Sequence, residues 1–255
     1  SSDVCSSDLV EGLPEPVSFP KVITGLLTVT LLNVALPAEV ISKPALLPEK
    51  LLDLTDISVT RAGLDALMGQ MPAPETPENI LIEDKNVPGF NGDPDVLVRV
   101  YTPKELPSGA PGLLWIHGGG MVLGSIDMDD DVCAPMAINH NCVVVSVEYR
   151  LAPEHPYPAQ IHDCYSALSW MHESADELGI SQDRIAIGGA SAGGGLAAGT
   201  ALMARDKGGP NLIFQLLVFP MLDHRNVTPS SYGTSDTDRK STRLNSSHRC
   251  ISYAV

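Results

Sequence analysis

The spacing of hydrophobic positions changes near residue 110, and that change sets the expected fold. From Leu51 to Met71 the spacing predicts an amphipathic helix with Ile57, Ala62, Leu64, Leu67 and Met68 along one face. Prolines at 72 and 77 end it. A strand is predicted over Asn79 to Val87, a turn at Gly89 to Gly92, and a second strand from Asp95 to Tyr101, where Val96, Val98 and Val100 alternate. This pair is expected to be antiparallel. Beyond it the strands lose their polar face: Gly112 to Ile116, Cys142 to Val147, Ile185 to Ile187 and Leu212 to Phe219 are apolar throughout or nearly so. Helical patterns lie between them, near 129–140, 159–178 and 192–206. Apolar strands alternating with helices require a mostly parallel sheet covered on both faces. The expected class is α/β, opening on an antiparallel hairpin.

Composition narrows the function. With 255 residues, 44% apolar and 18% charged, the chain has the make-up of a globular domain with a substantial core. A formal charge of -15 argues against nucleic acid or an anionic membrane surface as partner. Cysteines at 5, 133, 142, 164 and 250 form neither close pairs nor a disulfide framework, so buried free thiols are expected. No residue cluster has metal-ligand spacing, and no metal is expected. The seventeen uncharged residues from Val22 to Ala38 are at the lower limit for a membrane span, and Gly25, Asn33 and Pro37 weaken that reading. A buried or cap helix is favoured over the hydrophobic stretch of a signal peptide. Localisation stays open between cytoplasmic, slightly favoured, and secreted.

The chemistry concentrates at Gly189-Ala190-Ser191-Ala192-Gly193, entered from an apolar strand and left on a helix. A serine perched on a strained strand-to-helix turn needs small residues two before and two after it, because larger ones would collide there. Gly189 and Gly193 meet that need. The following helix would turn its free N–H groups and positive dipole end toward Ser191, the candidate nucleophile, with the Ala192 N–H as one donor to an oxyanion. A solvent-exposed serine in a glycine-rich connection is the bland alternative. Seventy-four residues earlier, the strand ending at Ile116 runs into His117-Gly118-Gly119-Gly120. Successive glycines at a strand's carboxyl end let the main chain turn N–H groups inward, and Gly118 and Gly119 are candidate second and third donors. His117 reads as an orienting group for this loop rather than as the catalytic base.

His117 to Gly120, Tyr149-Arg-Leu-Ala-Pro-Glu-His-Pro-Tyr-Pro158, Gly188-Gly-Ala-Ser-Ala-Gly-Gly194 and Phe219-Pro-Met-Leu-Asp223 follow one another in order. Together they resemble the hormone-sensitive-lipase-like branch of the α/β-hydrolases, over roughly residues 50–235. The resemblance implies the α/β-hydrolase fold and a cofactor-free serine carboxylesterase acting on small esters of short acyl or aryl type, with an N-terminal cap over the pocket. Ala190 departs from the pattern, since the family usually has Asp there. Two alternatives stay open: a small-molecule receptor of the same fold that has lost its catalytic histidine, and a hydrolase of amides, formamides or thioesters. Glu154 and His155, neighbours in a proline-stiffened loop, are expected to be structural, satisfying each other or the backbone. Asp163, His162 and His172 fall on a helix as surface or packing residues.

The ends look foreign. Ser1 to Leu9 and the cationic, serine-rich Arg239 to Val255 resemble translated sequencing-adapter reads, with genuine disordered tails as the alternative. The expected organisation is residues 1–9 as an artefactual tail, 10–75 as cap region, 76–235 as a partial hydrolase core, and 236–255 as a second artefactual tail. A triad in this fold runs Ser, acid, His along the chain, and by analogy its acid and His fall beyond Val255. Asp223 is a weak candidate acid; His224 and His248 are the histidines that follow Ser191. Leu212 to Phe219, apolar on both faces, is expected to lack a partner on one side and leave an exposed edge. Loss of base and acid would cost about 10⁴–10⁶ in rate, so the fragment itself is expected to be nearly inactive.

Overall fold

The computed structural model describes residues 56–68, 76–222 and 251–253. The strings at 1–9 and 236–250, the run from Val22 to Ala38, and Asp223, His224 and His248 lie outside the described residues. Helix α1 spans Ile57–Met68. It starts where Asp56 Oδ1 accepts the Val59 N–H at 3.1 Å, satisfying one of the donors a helix start leaves over. Its inward face differs from the expected one. Ile57, Thr60, Arg61 and Leu64 turn inward at a spacing of three and four, whereas Ala62 is exposed. The side chains of Leu67 and Met68 lie outside the described part.

Strands β1 (Ile80–Val87) and β2 (Val96–Pro103) form the expected antiparallel hairpin, with Val87 opposite Val96. A 3₁₀ turn at Phe90–Gly92 joins them. There follow β3 (Ala110–Ile116), α2 (Asp130–His140), β4 (Val143–Glu148), α3 (Ala159–Glu173), α4 (Ala175–Leu178), β5 (Ile180–Ala190), α5 (Ala192–Lys207), β6 (Phe214–Val218) and β7 (Ile251–Tyr253). The helix expected over 159–178 is two helices, parted at Ser174, whose N–H still reaches Trp170 O at 2.8 Å. β5 is longer than the apolar core Ile185–Ile187. Its lead-in begins at Ile180, which pairs with Ala110, and the register shifts before Gly112 pairs with Ile185.

The sheet order is β1-β2-β4-β3-β5-β6-β7. β4, β3, β5 and β6 run parallel to one another, and β2 joins β4 antiparallel. The outer side of β6, expected to be open, carries β7 antiparallel, with Leu217 opposite Ile251 and Gln215 opposite Tyr253. Helix α2 packs on β2 and β4, while α3 packs on α5, so the sheet is covered on both faces. Val98, Leu114, Ile116, Val145, Val147, Leu168, Ile185 and Ile187 form the centre of the core. Cys133, Cys142 and Cys164 are buried free thiols. Burial pushes the Cys142 thiol up to about 12.

The strand order positions the site. From β3 the chain moves one way, to β4, and then crosses back over β3 to β5 on the other side. The direction of winding thus reverses between β3 and β5, and in open α/β sheets ligands bind outside the carboxyl ends of the strands at such a reversal. Among the described residues no helix is long and apolar enough to cross a membrane.

Candidate active site

Ile116 pairs with Gly189, so the glycine loop after β3 and the serine after β5 leave the sheet side by side. Ser191 has φ 55° and ψ -114°, a strained conformation for any residue with a side chain. Its surroundings hold it there. The Ser191 N–H donates to Val218 O at 2.9 Å, and Ser191 O accepts from the amides of Gly195 at 3.1 Å and Met221 at 2.9 Å. The two flanking glycines are required by contact. A methyl group at Gly193 would stand 2.0 Å from Ile116 O and 2.4 Å from His117 O; one at Gly189 would stand 2.5 Å from Gly193 O. The turn is thus wedged against the end of β3, which is why the loop beginning at His117 lies beside it.

A methyl group at Gly118 would stand 3.6 Å from Ser191 Cβ and 3.2 Å from Ala190 O, so Gly118 and Ser191 are direct neighbours. Gly119 has φ 114°, with no room for a side chain against Leu123 O, and its own carbonyl accepts from the Leu123 N–H at 2.9 Å. Gly120 has φ 67° and is exposed. Ser191 is half-buried and Ala192, at the start of α5, is buried. The structure therefore brings Ser191, Ala192, Gly118 and His117 together at the carboxyl ends of β3 and β5.

His117 is 1% exposed, and its Nδ1 lies 2.7 Å from Gly118 O, which makes Nδ1 the protonated nitrogen. Burial pushes its pKa down to about 4, against the opposing effect of that hydrogen bond. The imidazole is neutral at pH 7 and stacks on Tyr149, centroids 4.2 Å apart and planes inclined by 13°. Among the described residues no hydrogen bond joins Ser191 Oγ to a histidine or a carboxylate.

Several further residues hold the loops around the site, and of these Arg61 was not singled out by pattern. Pro220 and Met221 close around the first turn of α5: a methyl at Gly195 would stand 2.3 Å from Met221 O, and one at Gly194 3.0 Å from Pro220 Cβ. Arg61 crosses from α1 to the loops. Its Nε donates to Val122 O at 2.9 Å and its Nη2 to Ala152 O at 2.8 Å, and it forks onto Glu154 at 2.8 and 3.1 Å. Glu154 is therefore a bracket for α1 and not a partner of His155, and Arg61 holds its carboxyl below the usual carboxylate range. His155 is exposed, and its carbonyl accepts from Gln160 Nε2. Asp163 is fully buried, the packing alternative of the two expected for it, and accepts both the Arg150 N–H at 2.8 Å and the Arg150 guanidinium at 2.7 Å. His162 lies half-buried between Phe90 and Asp93. His172 takes part through its carbonyl, which accepts from Gln182 Nε2. Arginines and carboxylates at such separations in sequence carry no periodic mark, so only their contacts find them.

A family model described as the alpha/beta hydrolase fold matches residues 113–252, more than half of the chain. The chain belongs to the α/β-hydrolase family. Relatives of this α/β-hydrolase agree with the hormone-sensitive-lipase-like resemblance of its motifs. Carboxylesterase NlhH of Mycobacterium tuberculosis is 45% identical over 175 residues, covering 67% of this chain and 54% of its own. Esterase LipI of the same organism is 48% identical over 124 residues, 48% of this chain and 39% of its own. Among solved structures, a bacterial heroin esterase superposes with a TM-score of 0.72 at 42% identity, covering 80% of this chain and 64% of that one. EstE1, a thermostable carboxylesterase cloned from a metagenomic library, gives 0.64 at 35% identity, covering 73% and 64%. The chain spans about half the length of the curated relatives it matches.

Proposed function

We propose that this protein is a serine carboxylic-ester hydrolase acting on small esters of short acyl or aryl type. Ser191 Oγ attacks the ester carbonyl, the alkoxide or phenoxide leaves, and water releases the acyl group from the serine. The Gly118, Gly119 and Ala192 amides take the developing oxyanion. The acid and the base come from residues outside the described part. No metal or cofactor is needed for this chemistry. The observation that supports the reading most is Ser191 in its strained conformation directly beside Gly118, at the carboxyl ends of β3 and β5. Esterase names among relatives at 39–48% identity point the same way.

The test is turnover of p-nitrophenyl acetate and butyrate by this chain and by any longer protein that contains it, together with covalent capture by a fluorophosphonate. The longer protein is expected to hydrolyse both esters, and Ser191→Ala to lower kcat by about 10⁴–10⁶. The label is expected on Ser191. Turnover insensitive to that substitution, or a label elsewhere, overturns the proposal. Saturable ligand binding with neither turnover nor label points to a receptor instead.

A further inference from the structure

Each peptide unit is planar, so an amide N–H and the carbonyl of the preceding residue point in opposite directions and move together. The Gly118 N–H shares its peptide with the His117 carbonyl, and the Gly119 N–H shares its peptide with the Gly118 carbonyl. Whatever holds those two oxygens therefore aims the two donors assigned above to the oxyanion. His117 O accepts from the Tyr149 hydroxyl at 3.0 Å. Gly118 O accepts from His117 Nδ1 at 2.7 Å and, at 3.3 Å, from the same Tyr149 hydroxyl. Among the described residues Tyr149 alone reaches both peptides.

Its position follows from the sheet. Tyr149 is the residue after β4, and Val147 pairs with Ile116, so the two chains leave the sheet abreast and Tyr149 arrives beside the His117–Gly118 peptide. Tyr149 and His117 are each 1% exposed, and their stacked rings leave the hydroxyl little room to move. Gly124, with φ 98°, fixes the other side of the imidazole: a methyl there would stand 2.6 Å from His117 Nδ1. A hydrogen bond to a carbonyl also polarises its peptide and strengthens the opposite N–H as a donor.

We propose that Tyr149 is a positioning residue for ester hydrolysis: its hydroxyl pins and polarises the two peptides whose N–H groups receive the oxyanion. This rests on the reading of Ser191, Gly118 and Gly119 given under the proposed function. Tyr149→Phe keeps the ring and its stack and removes only the hydroxyl. In the full chain, the ¹⁵N resonances of Gly118 and Gly119 are expected to move upfield together. Capture of Ser191 by a fluorophosphonate is expected to slow by about tenfold, less than the loss of a whole oxyanion donor. In a longer, ester-cleaving protein the same substitution is expected to lower kcat with KM unchanged, a split that a looser core would not give. Unmoved glycine resonances, or an unchanged capture rate, overturn the proposal while labelling of Ser191 leaves the hydrolase reading intact. If the parent chain is not captured at Ser191, the hydrolase reading fails, and the glycine resonances still report whether Tyr149 holds the two peptides. Should the Phe variant not fold, the Tyr149 hydroxyl proton of the parent chain reports directly: held on His117 O it is expected to give a resolved, slowly exchanging resonance, and a hydroxyl that exchanges freely with solvent overturns the proposal.

Discussion

Burial moves two titratable groups of the core in opposite senses. His117, pushed down to about 4, takes up its proton less readily folded than unfolded, where imidazole titrates near 6.5. Between those values the unfolded chain binds the extra proton, so this group makes stability rise with pH. Asp129 is pushed up to about 6, chiefly by burial, although Trp115 Nε1 donates to its Oδ2 at 2.7 Å. From an unfolded value near 3.8 to about 6 the folded chain binds the extra proton, and stability falls as pH rises. Asp129→Asn keeps an acceptor for Trp115 and removes the ionisation. His117 is common to both proteins and cancels in the comparison. Urea denaturation at pH 4.5 and 7.5 is expected to show the variant gaining about 2 kcal/mol over the parent between the two values. An equal difference at both pH values means that Asp129 does not titrate in that window.

Helix α1 shows how an element is held by contacts that its own pattern does not reveal. Its periodicity marks a buried face, but the link to the loops after β3 and β4 runs through Arg61, a residue any helical wheel assigns to water. Two of its partners are carbonyl oxygens, Val122 O and Ala152 O, which lose that partner when the guanidinium goes. The third, Glu154, is exposed, and surface ion pairs contribute little. Arg61→Ala is therefore expected to lower Tm and to open α1 to proteolysis, whereas Glu154→Gln should change both far less. Thermal melts and limited digestion of the two variants check the order; equal effects would mean that the ion pair, not the carbonyl contacts, carries the attachment.

At the scale of the molecule, a formal charge of -15 makes self-repulsion the main long-range electrostatic effect near neutral pH. Screening it with about 0.5 M NaCl, where the Debye length falls to a few ångströms, is expected to raise Tm. A melt that falls with salt would mean that local pairs such as Arg150 with Asp163, or Arg99 with Asp84, outweigh the repulsion. The sequence by itself determined the order of the main strands and helices up to β6, the antiparallel opening, the small residues at 189 and 193, and the acidic balance. These follow from side-chain periodicity and from sterics within a few residues, and so can be read locally. Tertiary structure decided the rest: that β3 lies between β4 and β5, that α1 turns Thr60 and Arg61 inward, that Glu154 belongs to Arg61, that β7 covers β6, and that Tyr149 reaches two carbonyls of the glycine loop. Each depends on which segments, far apart along the chain, become neighbours. That is set by the packing of the whole sheet, and no stretch of residues carries it alone.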